Sequence, residues 1–188
     1  MRHNPPRRST DSAMNKGLAM LIAHLPAGYI LGAFARNRWP GRSGMMTAAL
    51  LGSVVPDLDM VYFHFVDGGR THHHAYVTHW PLFWAAAGLV ALSVAKWRDP
   101  RYLAPVGAFF AAAMVHMILD SVASPIMWLM PFDRRALELV TDPATYRNWV
   151  MSFLLHWTFA LELLICTWAL ALGIRRSQLV ATTPKNST

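Results

Sequence analysis

Charge is scarce in this sequence. Only 14% of its 188 residues are Asp, Glu, Lys or Arg, whereas 54% are hydrophobic. So little charge, combined with long apolar runs, argues against an ordinary soluble fold and indicates a membrane protein. Cysteine is scarcer still: the single Cys166 excludes an intramolecular disulfide and is most simply a small apolar side chain. The chain has no internal repeat, and its length suits one domain.

Acidic residues are too few to balance the basic ones, and the formal net charge of +7 raises the question of nucleic-acid binding. However, Lys and Arg are confined to the chain ends and to short connections between apolar runs, where membrane proteins carry flanking basic residues. No platform of interleaved aromatic and basic residues is present. Eight Trp and five Tyr fit anchors at the membrane–water interface. We therefore expect the lipid bilayer, and no nucleic acid, as a partner.

Five apolar runs predict how the chain is organised. A helix needs about 20 residues to cross the hydrocarbon, and an open sheet could not satisfy its backbone there. The second, fourth and fifth runs are long enough to cross, and the third is marginal. The sequence predicts an all-α, multi-pass bundle of four to five transmembrane helices. The runs are 18–35, 45–66, 80–95, 103–130 and 149–174, within a membrane-embedded helical domain (14–176) between disordered tails (1–13, basic, and 177–188).

The distribution of basic residues gives a weak indication of orientation. If all five runs cross, eight Lys and Arg lie on the side of the N-terminal tail and nine on the other side. If the chain is counted from Met14, an alternative start, five Lys and Arg lie on the N-terminal side and nine on the other side. The positive-inside rule then favours a cytoplasmic location for "RNRWPGRSG", "KWRDPR" and the C-terminal tail.

Ionisable side chains inside the apolar runs are costly and therefore suggest function. His24 lies early in the first run, Asp57 and Asp59 lie late in the second, and His116 and Asp120 share one helical face in the fourth. With alternating topology, all five fall in the half of the bundle next to the connection "RTHHHAYVTHWP" (70–81), which holds four histidines. The sequence therefore predicts a metal site near one membrane face.

Imidazole and carboxylate ligands together suit Zn²⁺, with Mn²⁺ or Fe²⁺ as alternatives. These ligands outnumber what one tetrahedral ion needs, so one or two ions are expected. Two ions together can stabilise the attacking and leaving oxygens of a phosphoester displacement. Simpler interpretations stay open: a hydrogen-bonded core histidine at His24, a structural pair at His116 and Asp120, and a solvated histidine loop. His64 and His156 are weaker ligand candidates, and Glu162 lies on a different helical face from His156.

Taken in order, these motifs resemble a known family over roughly residues 18–133. They are a histidine in the first helix, "GSVVPDLD" (52–59), "HAYVTHW" (74–80), "HMILD" (116–120) and "SPIMWLMPF" (124–132). The sequence is similar to the metal-dependent hydrolases of the inner membrane, also described as LexA-binding, which are grouped with the zinc-dependent phospholipase C fold. Ala75 stands where that family usually has arginine and Trp80 where it has serine. Arg70 is the basic residue that could replace the missing arginine.

The resemblance implies a helical protein of the inner membrane that hydrolyses its substrate with a divalent metal. In zinc phospholipases C, a His-x-x-x-Asp helix like that of His116 and Asp120 supplies metal ligands. We assign catalytic roles to Asp57, Asp59 and His74, with His74 as a ligand or a proton carrier beside the metal. The expected metal ligands are His24, Asp57, Asp59, His79, His116 and Asp120.

The most consistent function is hydrolysis of a phosphoester, with a lipid headgroup as one candidate substrate. A non-catalytic alternative is a metal-stabilised membrane scaffold or a protein that binds a regulatory protein partner. A di-iron lipid oxidase is less favoured, because such enzymes need several His-x-x-His-His boxes and the other histidines here are isolated. The roles of His72 and His73 follow from none of these patterns.

Overall fold

The computed structural model describes residues 10–68, 70, 73–140, 151 and 154–182, without the side chains of 10–21, 73, 180 and 181. Within this part the chain is helical, and its only strand-like pairing is an isolated bridge between Ile126 and Leu137. The prediction of an all-α protein is confirmed. The helices are α1 (Thr10–Arg38), α2 (Met45–Gly52), α3 (Asp59–Tyr62), α4 (Pro81–Arg98), α5 (Leu103–Ala123) and α6 (Trp157–Thr182).

The long helices pack around α1 and α5. Helix α2 lies between them, α4 packs on α5, and α6 packs on α1. Small residues bring these helices close together, as is common in membrane bundles. The contact is tightest at Gly52 of α2, where a Cβ atom would overlap the backbone carbonyl of Phe109 in α5. The core at this contact consists of Ala35, Met45, Ala49, Ala108 and Ala112.

The described helices include fewer membrane spans than the four to five that the sequence predicts. Two are long and apolar enough to cross, Pro100–Ala123 and Trp157–Leu179. A third span results if Met45–Gly52 and Val55–Asp67, which meet at a bend of 48°, form one broken crossing. Helix α4 has 18 residues, which leaves no apolar residues to spare, and its last turn contains Lys96 and Arg98, so it is not apolar enough over its whole length to be counted as a span. In α1, side chains are described only from Ile22 onward.

Both terminal helices extend into the segments expected to be disordered. Helix α1 includes residues 10–13, and α6 includes residues 177–182. Thr10 and Asp11 are residue types that favour a helix start, and the next proline after α6 is Pro184. Local helix signals therefore continue beyond the apolar runs. The rest of both predicted tails lies outside the described residues.

Candidate metal centre

The candidate centre begins with His116 and Asp120 near the C-terminal end of α5. Their four-residue spacing places both side chains on one face of the helix, and both are buried. His116 Nε2 lies 3.1 Å from Asp120 Oδ2. His116 Nδ1 lies 2.8 Å from the carbonyl oxygen of Ser53. A carbonyl can only accept, so Nδ1 carries the proton and donates it to Ser53.

A break after α2 brings the first carboxylate to this pair. The backbone leaves the α-helix after Gly52 and forms a 3₁₀ turn, Val55–Leu58, with Pro56 in its first turn. Proline is favourable there, because the first helical turn needs no N–H donor. Asp57 Oδ1 is consequently 3.5 Å from His116 Nε2. Asp57 keeps some solvent contact, with a side-chain exposure of 15%.

Helix α1 contributes His24, which is 2% exposed. Its ring stacks on the ring of His116, with centroids 3.8 Å apart and planes within 19° of each other. His24 Nε2 lies 3.1 Å from Asp120 Oδ1, and His24 Nδ1 lies 3.8 Å from Asp57 Oδ2. His24 therefore faces both carboxylates.

The connection before α4 closes the centre with His74 and His79, both buried, whose ring centroids are 4.8 Å apart. Two short 3₁₀ turns, His73–Ala75 and Val77–His79, fold this polar segment inward. His79 Nε2 lies 3.5 Å from Asp57 Oδ1 and 3.6 Å from Asp120 Oδ2. The predicted histidine loop is thus in part an interior wall of the protein.

Asp59 lies behind His79. Its Oδ2 accepts hydrogen bonds from His79 Nδ1 at 2.6 Å and from the hydroxyl of Thr78 at 2.5 Å. This carboxylate–histidine arrangement fixes the ring and directs Nε2 towards the other carboxylates. Burial lowers the pKa of His79, but its contacts with Asp57 and Asp59 and the charge of Asp120 outweigh that effect and raise the pKa to about 9.

The ligand-type atoms form two groups, and in each group they lie within 4.8 Å of one another. One group is His24, Asp57 and His116, and the other is His74, His79 and Asp120. The described residues offer no hydrogen-bond partner to either ring nitrogen of His24 or to His116 Nε2. With its proton on Nδ1, neutral His116 directs the Nε2 lone pair at a carboxylate oxygen. Such an arrangement needs a proton or a cation between the two atoms.

Most of the sequence-predicted site residues lie in this cluster. Five of the six expected metal ligands contribute to the two groups, whereas Asp59 contacts His79 from the side away from the other carboxylates. His74, expected as a ligand or proton carrier, belongs to the second group. Sequence reasoning missed Ser53 and Thr78. Ser53 contributes a backbone carbonyl, which leaves no side-chain signal, whereas the position of Thr78 next to His79 was an available hint.

The weaker candidates have other contacts. The ring of His64 lies on the surface and bonds the carbonyl of Met60 through Nδ1. His156 Nδ1 bonds the hydroxyl of Thr158. Arg70 is exposed. His72 and the side chain of His73 lie outside the described residues.

The helical fold and the buried cluster define a class: a helical membrane protein whose interior holds histidine and aspartate side chains suited to a divalent metal. Residues 20–181 match the family described as YdjM inner membrane protein. The chain belongs to that family, and its location is the inner membrane. No curated protein and no solved structure matches the chain.

Proposed function

We propose that this protein is a metal-dependent hydrolase whose favoured substrate is a phosphoester, including one derived from a lipid. The main support is that six ligand-type side chains, five of them buried and Asp57 partly exposed, form two adjoining groups of three. Buried carboxylates and imidazoles are expected to be paired or to coordinate metal. Either a proton or a divalent cation between His116 Nε2 and Asp120 Oδ2 would satisfy both atoms, and the two ring nitrogens of His24, which also have no hydrogen-bond partner among the described residues, support the cation.

The two groups fit the chemistry of one or two divalent ions. Nitrogen and carboxylate donors suit Zn²⁺, with Mn²⁺ or Fe²⁺ as alternatives. Asp57 and Asp120 are each close to His24, His79 and His116, so either carboxylate could contribute a ligand to both groups. When bound, the metal supplies Lewis-acid polarisation of the phosphoryl oxygen and a lowered pKa for a water molecule.

The exposure and contacts of the side chains suggest a role for each of them in the proposed reaction. Asp57 is the most accessible carboxylate of the cluster and is suited to accept the proton of the attacking water. His74 is beside His79 and is suited to return a proton to the leaving oxygen as the phosphorus–oxygen bond breaks. Asp59 positions His79 through the hydrogen bond to Nδ1.

The first test is the metal content of the protein purified in detergent, compared with a His116→Ala, Asp120→Ala double variant. We expect the wild type to hold one or two ions per chain and the double variant to lose them. A matched control, His64→Ala with Asp133→Ala, removes one histidine and one aspartate outside the cluster and should keep the metal. Wild-type protein without bound metal under metal-replete conditions would contradict the proposal.

Activity is tested separately on aryl phosphodiesters and on phospholipids with the metal-loaded protein. Asp57→Asn is expected to lower the turnover per bound metal at least a hundredfold, in the range of general acid–base contributions. The metal content is measured in parallel, because Asp57 is also one of the proposed ligands. Metal-loaded protein that hydrolyses neither substrate class would favour the non-catalytic reading.

The burial of the cluster favours a second candidate function, that of a non-catalytic metal-stabilised scaffold or a partner-binding protein. All its side chains except Asp57 are nearly excluded from solvent, and a structural metal site has no open coordination position. Substitution with Co²⁺ separates the two functions. If added azide or phosphate changes the visible spectrum, a position is open and the hydrolase is favoured. An unchanged spectrum favours the scaffold.

A further inference from the structure

An apolar groove lies at the opposite end of the bundle from the candidate metal centre. The groove has a volume of about 810 Å³ and runs between the C-terminal part of α1 and the N-terminal part of α5. Its walls are apolar and include Leu31, Phe34, Gly107 and Ala111. A volume of this size is typical of sites that bind small molecules.

The mouth of the groove is basic. Arg38 and Arg42 line it together with Trp39, and the Arg38 guanidinium lies 5.5 Å from the centroid of the Trp39 ring. All three side chains are exposed. Tryptophan and arginine together are typical of the headgroup level of a membrane. The groove therefore leads from the interface into the hydrocarbon region.

The whole end of the bundle around this mouth carries positive charge. Arg176 of α6 approaches Asn37, next to Arg38, which brings the C-terminal ends of α1 and α6 together. The acidic residue in the connection before α5, Asp99, is paired with Arg101. Because Lys and Arg are concentrated at this end, the positive-inside rule favours the cytoplasmic side for it, where the leaflet carries anionic lipid. The other basic residues of this end are Arg36, Lys96, Arg98 and Arg175.

We propose that this groove binds an anionic glycerophospholipid of the cytoplasmic leaflet. The phosphate would contact Arg38 and Arg42, and an acyl chain would lie along Leu31, Phe34 and Ala111. Basic pockets between transmembrane helices recognise anionic headgroups in this way. From Arg38 to His24 the helix rises about 20 Å, so the bound phosphate is remote from the metal centre. The lipid is thus a resident ligand and not the substrate of the proposed hydrolase.

The test compares retention of phosphatidylglycerol and of phosphatidylcholine with identical acyl chains, by native mass spectrometry of the protein in detergent. We expect the wild type to retain phosphatidylglycerol about tenfold more tightly, because each basic contact at the membrane surface contributes substantially. Arg38→Ala with Arg42→Ala should abolish this preference. A charge-matched control, Arg98→Ala with Arg175→Ala, removes two exposed arginines of the same end that do not line the groove and should keep the preference.

Equal retention of both lipids by the wild type would overturn the proposal. Equal loss in both double variants would also overturn it, because the preference would then reflect general surface charge. Ala111→Phe gives a second test that leaves the arginines in place. Ala111 is exposed in the groove, so the added ring should displace the acyl chain and reduce retention of both lipids. Metal content should be unchanged in all these variants, so this outcome is independent of the metal centre.

Discussion

At the scale of single residues, the buried carboxylate of Asp59 orients the candidate metal ligand His79 without being a member of either ligand group. It holds His79 through Nδ1 and is itself held by Thr78. We expect Asp59→Asn to weaken Zn²⁺ affinity about 10- to 100-fold, because the substitution removes the charge that orients the ring and increases its basicity. Competition with a chelator of known affinity measures this change.

The control for Asp59→Asn is Asp133→Asn. Asp133 lies outside the cluster and pairs with Arg135, which lowers the pKa of its carboxyl group. Its replacement should leave Zn²⁺ affinity within about twofold, since a surface ion pair contributes little. If both variants bind Zn²⁺ like the wild type, Asp59 does not position a metal ligand.

At the scale of elements, the contact between α2 and α5 positions two of the three members of the first ligand group. Helix α2 leads into the turn that carries Asp57, and α5 carries His116. A Cβ at Gly52 would meet the backbone carbonyl of Phe109, which cannot move aside as a flexible side chain can. We expect Gly52→Ala to destabilise the protein by about 1–3 kcal/mol, as overpacking does, and to weaken metal binding. Thermal unfolding in detergent measures the first effect.

Gly173→Ala is the matched control for this packing prediction. The added Cβ would be 3.6 Å from the hydroxyl of Tyr29, which is an ordinary contact. Alanine is the better helix former by about 1 kcal/mol, so stability should be unchanged or higher. A Gly52→Ala protein as stable as Gly173→Ala would show that the two helices can separate without cost.

At the scale of the whole molecule, the candidate metal centre joins segments that are distant in sequence: α1, the turn after α2, the connection before α4, and α5. A ligand that binds only the folded state stabilises it by about 4 kcal/mol at a thousand times its Kd. Chelation should therefore lower the unfolding temperature, and added Zn²⁺ should restore it in proportion to the logarithm of its concentration. The His116→Ala, Asp120→Ala variant should be insensitive. A wild-type transition independent of Zn²⁺ would argue against a metal that joins these segments.

The sequence by itself determined the helical membrane class and the candidate polar residues, because apolar length and the four-residue spacing of His116 and Asp120 are local properties of the chain. The described residues contain two to three candidate spans and not four to five, since the charges that end α4 and the bend after Gly52 matter as well as the length of the apolar runs. Only the tertiary structure decided which side chains meet. The position of Asp59 behind His79 and the contact between the Ser53 carbonyl and His116 depend on non-local packing, which no spacing along the chain encodes.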